Sequence, residues 1–304
     1  MRAFTILCAV AVLATSAAAR AETLFGVTDA SSSQGLFRFD SANAAGSMTI
    51  ATITGLGFGE VVRGIDFRPA DGLLYAITTT ADVASNAHLY TINLGTAAAT
   101  AVGTAFTLTG NTSSRFSVDF NPVADSLRVV TGDGSNYRVN PVDGTLVARD
   151  TSLRAGADTP LISAVAYSNS FAGATQTTLY AYDYFTDTVG MIGSPNGNPN
   201  SPNGGLYTAV GNSGVVTLSA AAGMDISGTT GVAYFAADDT NSPTSASELY
   251  TVDLATGKLT LVGQLPVASI GISVAMPVPE PATWGLMLLG IGAIARRAAR
   301  RRAD

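Results

Sequence analysis

One cysteine and one histidine in 304 residues leave little room for metal clusters or for histidine-based catalysis. Charge is scarce as well. Asp, Glu, Lys and Arg make up 12% of the chain, about half the ~25% usual for soluble domains. Such a surface has to be carried by Ser, Thr, Asn and Gly, which suits strands and turns better than helices. Hydrophobic residues still reach 47%, which excludes intrinsic disorder and allows a real core at this length. Lysine is nearly missing: between Glu22 and Ala295, Lys258 and eight arginines face twenty-one acidic residues, a net charge of −12. With no basic stripe to meet a phosphate backbone, no nucleic-acid partner is expected. The sequence also has no Gly-x-Ser-x-Gly elbow, phosphate-binding loop or dinucleotide fingerprint.

What is present begins with the two ends. Met1-Arg2 precedes an apolar run from Ala3 to Ala14, and Ala17-x-Ala19 and Ala19-x-Ala21 both fit a leader-peptidase site. Residues 1–21 therefore read as a secretory signal peptide. Cys8 leaves with it, so the mature chain must hold together without disulfides. At the other end Val278-Pro279-Glu280-Pro281 is followed by an apolar segment from Trp284 to Ala295, marked by Trp284, Leu288, Ile291 and Ile294. Arg296, Arg297, Arg300, Arg301 and Arg302 close the chain. Twelve helical residues cover about 18 Å, so snorkelling arginines are needed to stretch this single helix across a bilayer. Their charge should hold the tail in the cytoplasm and leave the domain outside.

Pro-Glu-Pro, a short apolar helix and an arginine cluster, in that order over Val278 to Asp304, resemble the PEP-CTERM sorting signal of Gram-negative bacteria. The resemblance implies cutting near Pro279, Glu280 and Pro281 by exosortase, a membrane protease, after a transient stay in the inner membrane. It also implies delivery to the cell surface or the exterior.

Between the ends, residues 22–276 carry two alternating motifs. The first is an apolar-Asp-apolar strand, a turn and a second strand, as in Gly64-Ile65-Asp66-Phe67-Arg68-Pro69 and Val118-Asp119-Phe120-Asn121-Pro122. Weaker copies centre on Ala166, Asp225 and Gly271, at steps of 53, 47, 59 and 46 from Asp66 onward. The second is Leu-Tyr-x-apolar-Asp/Asn, a Gly turn and a strand, clearest at Leu249 to Gly263 and repeated around Phe37, Tyr90 and Tyr137. Period-two alternation with such turns makes each motif a β-hairpin. Two hairpins per ~50 residues are the content of one β-propeller blade. The expected fold is an all-β propeller of about five four-stranded blades. Thr23–Thr28 and the strand from Ser269 to Ala275 complete one blade between them and close the ring. Leu179 to Asp183 fits either motif, so a sixth blade or a two-sheet sandwich stays open.

The same residues, with Tyr137-Arg138-Val139-Asn140-Pro141, Ala166 to Thr175 and the Asn/Pro stretch of residues 199–204, resemble domain of unknown function 4394. That family implies a propeller-like extracytoplasmic domain and brings no established activity.

For chemistry, His88 reads as a strand-edge surface residue. Asp66 and Asp119 share one repeat position, so equivalent carboxylates would meet near the channel. They are weak calcium candidates, and the simpler reading is that each accepts backbone N–H bonds in a turn. Ala166 and Gly271 interrupt the column. Residues 131–136 and 238–241 read as polar turns between blades, whose aspartates Arg38, Arg128 and Arg138 would pair. No catalytic residue and no required cofactor emerge. The expected protein is an exported, non-catalytic surface or exopolysaccharide-matrix protein. A carbohydrate- or calcium-binding propeller is the alternative, and a hydrolase or lactonase rests on fold analogy alone.

Overall fold

The computed structural model describes residues 21–30, 33–80, 86–109, 116–239 and 246–276. Residues 1–20 lie outside them, as do Thr240 and Asn241 and the whole tail from residue 277, with its Pro-Glu-Pro motif, apolar segment and arginines. Among the described residues no helix is long and apolar enough to cross a membrane.

Strand follows strand in antiparallel hairpins. The first unit holds β1 (Thr23–Thr28), β2 (Gly35–Asp40) and β3 (Thr49–Thr52), with a one-turn α1 (Ala44–Ser47) before β3. The second holds β4 (Val61–Phe67), β5 (Leu74–Thr79), β6 (Ala87–Ile92) and β7 (Ala99–Phe106). The third holds β8 (Phe116–Asn121), β9 (Ser126–Thr131), β10 (Asn136–Val139) and β11 (Leu146–Arg149). The fourth holds β12 (Ile162–Tyr167), β13 (Leu179–Asp183), β14 (Thr188–Ile192) and β15 (Tyr207–Asn212). The fifth holds β16 (Thr217–Ile226), β17 (Ala233–Asp239), β18 (Glu248–Val252) and β19 (Leu259–Gln264). The last strand, β20 (Ser269–Val274), returns to pair with β1, opposing Leu24 to Val274 and Gly26 to Ile272. Five four-stranded sheets result, and the pairing of the last strand with the first closes the ring. Leu179 to Asp183 pairs with β12 as the second strand of blade four, which settles the count at five.

β20, β4, β8, β12 and β16 line the axis and pack against one another in turn. Burial follows position. β12 and β20 are buried at every residue, whereas every residue of β3 and most of β19 are exposed. The axial strands carry small residues where they converge: Gly64, Ser117, Ala164, Gly223 and Gly271. The tightest approach is at Gly223, where a Cβ would stand 2.3 Å from the Ile272 nitrogen of the facing backbone.

Five apolar clusters fill the seams between blades. Phe25, Val27 and Leu36 meet Ile65 and Phe67 between blades one and two. Tyr75 and Leu89 meet Phe116 and Phe120 between two and three. Tyr182 meets Phe235 between four and five, and Tyr234 meets Phe37 between five and one. The seam between blades three and four differs, because Val130 is the only strand residue of blade three in its cluster. Arg128, 2% exposed, fills that place.

Its guanidinium is surrounded by acceptors. Nη1 donates to Asn136 Oδ1 and Asp150 Oδ2, each at 2.7 Å, and Nη2 donates to Asn203 Oδ1 at 2.6 Å. Nε donates to the Tyr167 hydroxyl at 3.2 Å. Asn203 comes from the Asn/Pro/Gly-rich link between β14 and β15, which folds as two short 3₁₀ turns and packs back on blade three. The unusual composition of that stretch thus supplies a lid of acceptors over a buried cation.

Candidate functional site

At the end of four of the five axial strands a side chain reaches toward the next blade. Asp66 Oδ2 accepts from the Phe120 N–H at 2.7 Å, and Asp119 Oδ1 from the Tyr167 N–H at 3.0 Å. Asp225 Oδ2 accepts from the Val274 N–H at 2.6 Å, and Ser273 Oγ from the Phe67 N–H at 3.2 Å. Each acceptor therefore takes the N–H that follows the equivalent position one blade on. The repeat position comprises Asp66, Asp119, Ala166, Asp225 and Ser273. Ser273 occupies the place the sequence alignment gave to Gly271, two residues earlier on the same strand. Ala166 has no side-chain acceptor to offer, and the Ile226 N–H that it would have received bonds instead to Asp225 Oδ1, at 2.6 Å. The aspartates do accept backbone N–H groups, as the simpler reading had it, but across the seam between blades and not within a turn.

This stitching brings three carboxylates together. One oxygen from each of Asp66, Asp119 and Asp225 lies within 4.8 Å of the others, and the residues are 2%, 1% and 3% exposed. Ser273 Oγ stands 2.7 Å from Asp66 Oδ1 and 2.9 Å from Asp225 Oδ2. Asp119 Oδ2 is buried with no hydrogen-bond partner among the described residues. Among the described residues no salt bridge reaches any of the three. Burial, then repulsion from Asp225, pushes the Asp66 carboxyl well above the ordinary range. Burial, then Asp66 and Asp225, does the same to Asp119. Burial pushes Asp225 up to about 6. A cavity of about 200 Å³ opens beside Asp225, walled by Phe67, Phe171, Ile226, Thr229 and Met276.

These shifts predict an inverted pH response. The unfolded chain ionises its aspartates near 3.8, while the folded cluster holds its protons to higher pH. Its contribution is therefore fully present below about pH 4 and is lost as pH rises through the folded values, about 6 for Asp225. Asp119→Asn keeps an oxygen for the Tyr167 N–H and places an amide donor at the unpartnered position. In chelator, wild type should lose melting temperature relative to this variant between pH 4 and 7. Parallel melting curves across that range would refute the prediction.

The other residues picked out by the sequence serve packing. His88 is not at a strand edge: it sits half-buried on β6, between β5 and β7. Its Nδ1 lies 3.3 Å from Glu60 Oε1, and its ring packs against Tyr90 with centroids 4.7 Å apart and planes tilted by 59°. Arg128 and Arg138 both bond Asp150, on neither of the oxygen-rich turns, and Arg38 is exposed on β2. Burial tends to raise the Asp150 carboxyl, but Arg138 and Arg128 hold it below the usual range. The segments at 131–136 and from 238 follow second strands within blades three and five, not junctions between blades. Asp133 Oδ1 accepts from the Ser135 N–H, and Asp238 Oδ1 from the Ser247 hydroxyl. Two members of the axial cluster escaped the sequence reading as ligands. Asp225 was visible in the repeat column, whereas Ser273 had no local signal.

Comparison with known proteins adds the following. Residues 35–275 match the family described as Domain of unknown function (DUF4394), and residues 277–302 match the PEP-CTERM protein-sorting motif. The sorting signal indicates export across the inner membrane of a Gram-negative bacterium and implies processing by exosortase. No curated protein matches the chain. Among solved structures, TolB from Acinetobacter baumannii is similar at 11% identity and a TM-score of 0.46, over 81% of this chain and 54% of TolB. The WD40 domain of Toxoplasma gondii coronin matches at 13% identity and a TM-score of 0.39, over 80% and 57%. A protein from Lactobacillus plantarum matches at 14% identity and a TM-score of 0.39, over 84% and 100%. The chain thus spans little more than half the length of the first two.

Proposed function

The chain belongs to the DUF4394 family, and on that premise we propose that it is a non-catalytic propeller that works at the cell surface or in the exopolysaccharide matrix. In this reading residues 1–21 are a cleaved signal peptide. The segment marked by Trp284, Leu288, Ile291 and Ile294 is a membrane helix that holds the precursor only until exosortase acts.

The observation that carries the reading is the position of the sorting motif. It begins at residue 277, three residues after the closing strand ends at Val274. The body is finished before the signal starts, so cutting in the signal leaves the ring whole. Proline on either side of Glu280 disfavours helix and keeps the motif extended for a protease. The non-catalytic assignment draws support from the titratable groups, since His88, Arg128 and Arg138 are all engaged in packing within and between blades.

Replacing Pro279, Glu280 and Pro281 together by alanine should trap uncut precursor in the inner membrane while the propeller stays folded. Mass spectrometry of surface-exposed wild-type protein should find a C-terminus before Trp284. An intact chain through Asp304 on the mature protein would make the tail a permanent anchor and defeat the sorting reading.

A further inference from the structure

We propose that Asp66, Asp119 and Asp225 form a calcium site on the propeller axis, completed by the Ser273 hydroxyl and by water. Three buried carboxylates converge with no arginine, lysine or histidine bonded to them among the described residues. Carboxylates taken out of water in this way either keep a proton or take up a compensating cation. The Ser273 hydroxyl does not resolve the conflict. It has one proton and faces oxygens of both Asp66 and Asp225, so it can donate to only one of them. Asp119 Oδ2 is the second, independent sign. It is an acceptor on a residue 1% exposed, belongs to the cluster, and has no hydrogen-bond partner among the described residues.

The donor set selects the ion. All four side chains offer oxygen, which suits hard cations and not zinc or copper. Calcium binds oxygen at about 2.3–2.6 Å, so two ligands on one ion stand at most about 5 Å apart. The carboxylate oxygens, within 4.8 Å of one another, meet that limit as they stand. Magnesium, at about 2.1 Å, confines its ligands to about 4.2 Å and holds its water shell tightly. The cavity of about 200 Å³ reaches Asp225 and has room for water beside that ligand.

Placement gives the site a consequence. Ser273 lies on β20, which closes the ring, and Asp66 and Asp225 belong to the blades on either side of it. An ion held here ties the closing strand to both neighbours. It would secure the ring at the point where the chain leaves for the sorting signal.

The test uses the full chain in mild detergent, freed of metal with EGTA, at pH 7.5. Calorimetric titration with calcium chloride alone should give one ion per chain. At about 100 times the Kd, calcium should lower the unfolding constant about a hundredfold and raise the melting temperature accordingly. Asp119→Asn, which retains the Tyr167 contact, should lose at least tenfold in calcium affinity. Asp253→Asn, in an exposed turn, should bind as wild type does. Magnesium should compete only weakly. Crystals soaked in strontium should show an anomalous peak at the centre of the three carboxylates, a readout that needs no variant. No response of wild type to 10 mM calcium would overturn the proposal. So would equal responses from wild type and Asp119→Asn, or a strontium peak only elsewhere.

Discussion

Arg128→Met is expected to lower the melting temperature of the propeller by about 10 °C. Removing one partner from a buried charge network costs about 3–5 kcal/mol, because the groups left behind lose both partner and water. Here Asn136 Oδ1, Asn203 Oδ1 and one face of Asp150 are stranded together in the seam between blades three and four. Asp150 keeps Arg138, which places the loss near the lower end, about 3 kcal/mol. In a domain of this size each kcal/mol moves the midpoint by about 2–4 °C. Arg128→Lys should fare little better, since one ammonium cannot reach acceptors spread around a planar fork. Arg138→Met is the control. Its side chain is 27% exposed and bonds Asp150 alone, so a loss below about 1 kcal/mol is expected. Thermal melts of the three variants decide the matter, and equal shifts for Arg128→Met and Arg138→Met would refute it.

Gly223→Ala should cost about as much, although it adds a single methyl group. Gly223 has an ordinary strand backbone, so conformational strain plays no part. The new Cβ would stand 2.3 Å from the Ile272 nitrogen and 2.6 Å from the Gly271 Cα. Both contacts are backbone of the closing strand, which can yield only by moving β20 away from β16. Overpacking of this kind costs about 1–3 kcal/mol. It should also weaken the ring closure, because Val274 and Ser273 must stay within bonding distance of Asp225. Gly263→Ala on the outermost strand β19 is the matched comparison, with nothing within 4 Å of its added Cβ. Chemical denaturation should show a large drop for the first and a change within about 0.5 kcal/mol for the second. A neutral Gly223→Ala would mean that the axial strands are looser than their contacts imply.

The blades were legible because each is a local event. Alternating residues, a Gly or Asp turn and a second alternating run specify a hairpin within about 20 residues, and repetition put the count at about five with a sixth blade open. Closure was legible too, since Thr23–Thr28 lacks a first strand and the strand from Ser269 lacks a second. Blade four was ambiguous for a physical reason. Its third strand, Thr188–Ile192, lacks the aromatic that Phe37, Tyr90, Tyr137 and Tyr250 supply in its counterparts, so Leu179-Tyr180 on the second strand resembled them. The axial column slipped by one period between Gly271 and Ser273. Both point toward the axis, because side chains alternate with a period of two, and only the N–H of Phe67 on the next blade distinguishes them.

What the sequence by itself determined is therefore everything that depends on neighbours along the chain: all-β hairpins, a repeat of ~50 residues, a closing strand, a sorting motif after the body, and aspartates at one repeat position. What only the tertiary structure decided depends on neighbours across seams. The meeting of Asp66, Asp119 and Asp225 and the entry of Ser273 beside them arise between strands about 50 to more than 200 residues apart, and the Ile226 N–H turns to its own neighbour Asp225 where Ala166 of the adjoining blade offers no acceptor. The same holds for Arg128, whose acceptor Asn203 lies 75 residues away. Hydrophobic periodicity records which face of a strand is buried, but it carries no information on which partner is buried against it. Partner choice comes from the radial convergence of five inner strands, a property of the closed ring and not of any blade in it.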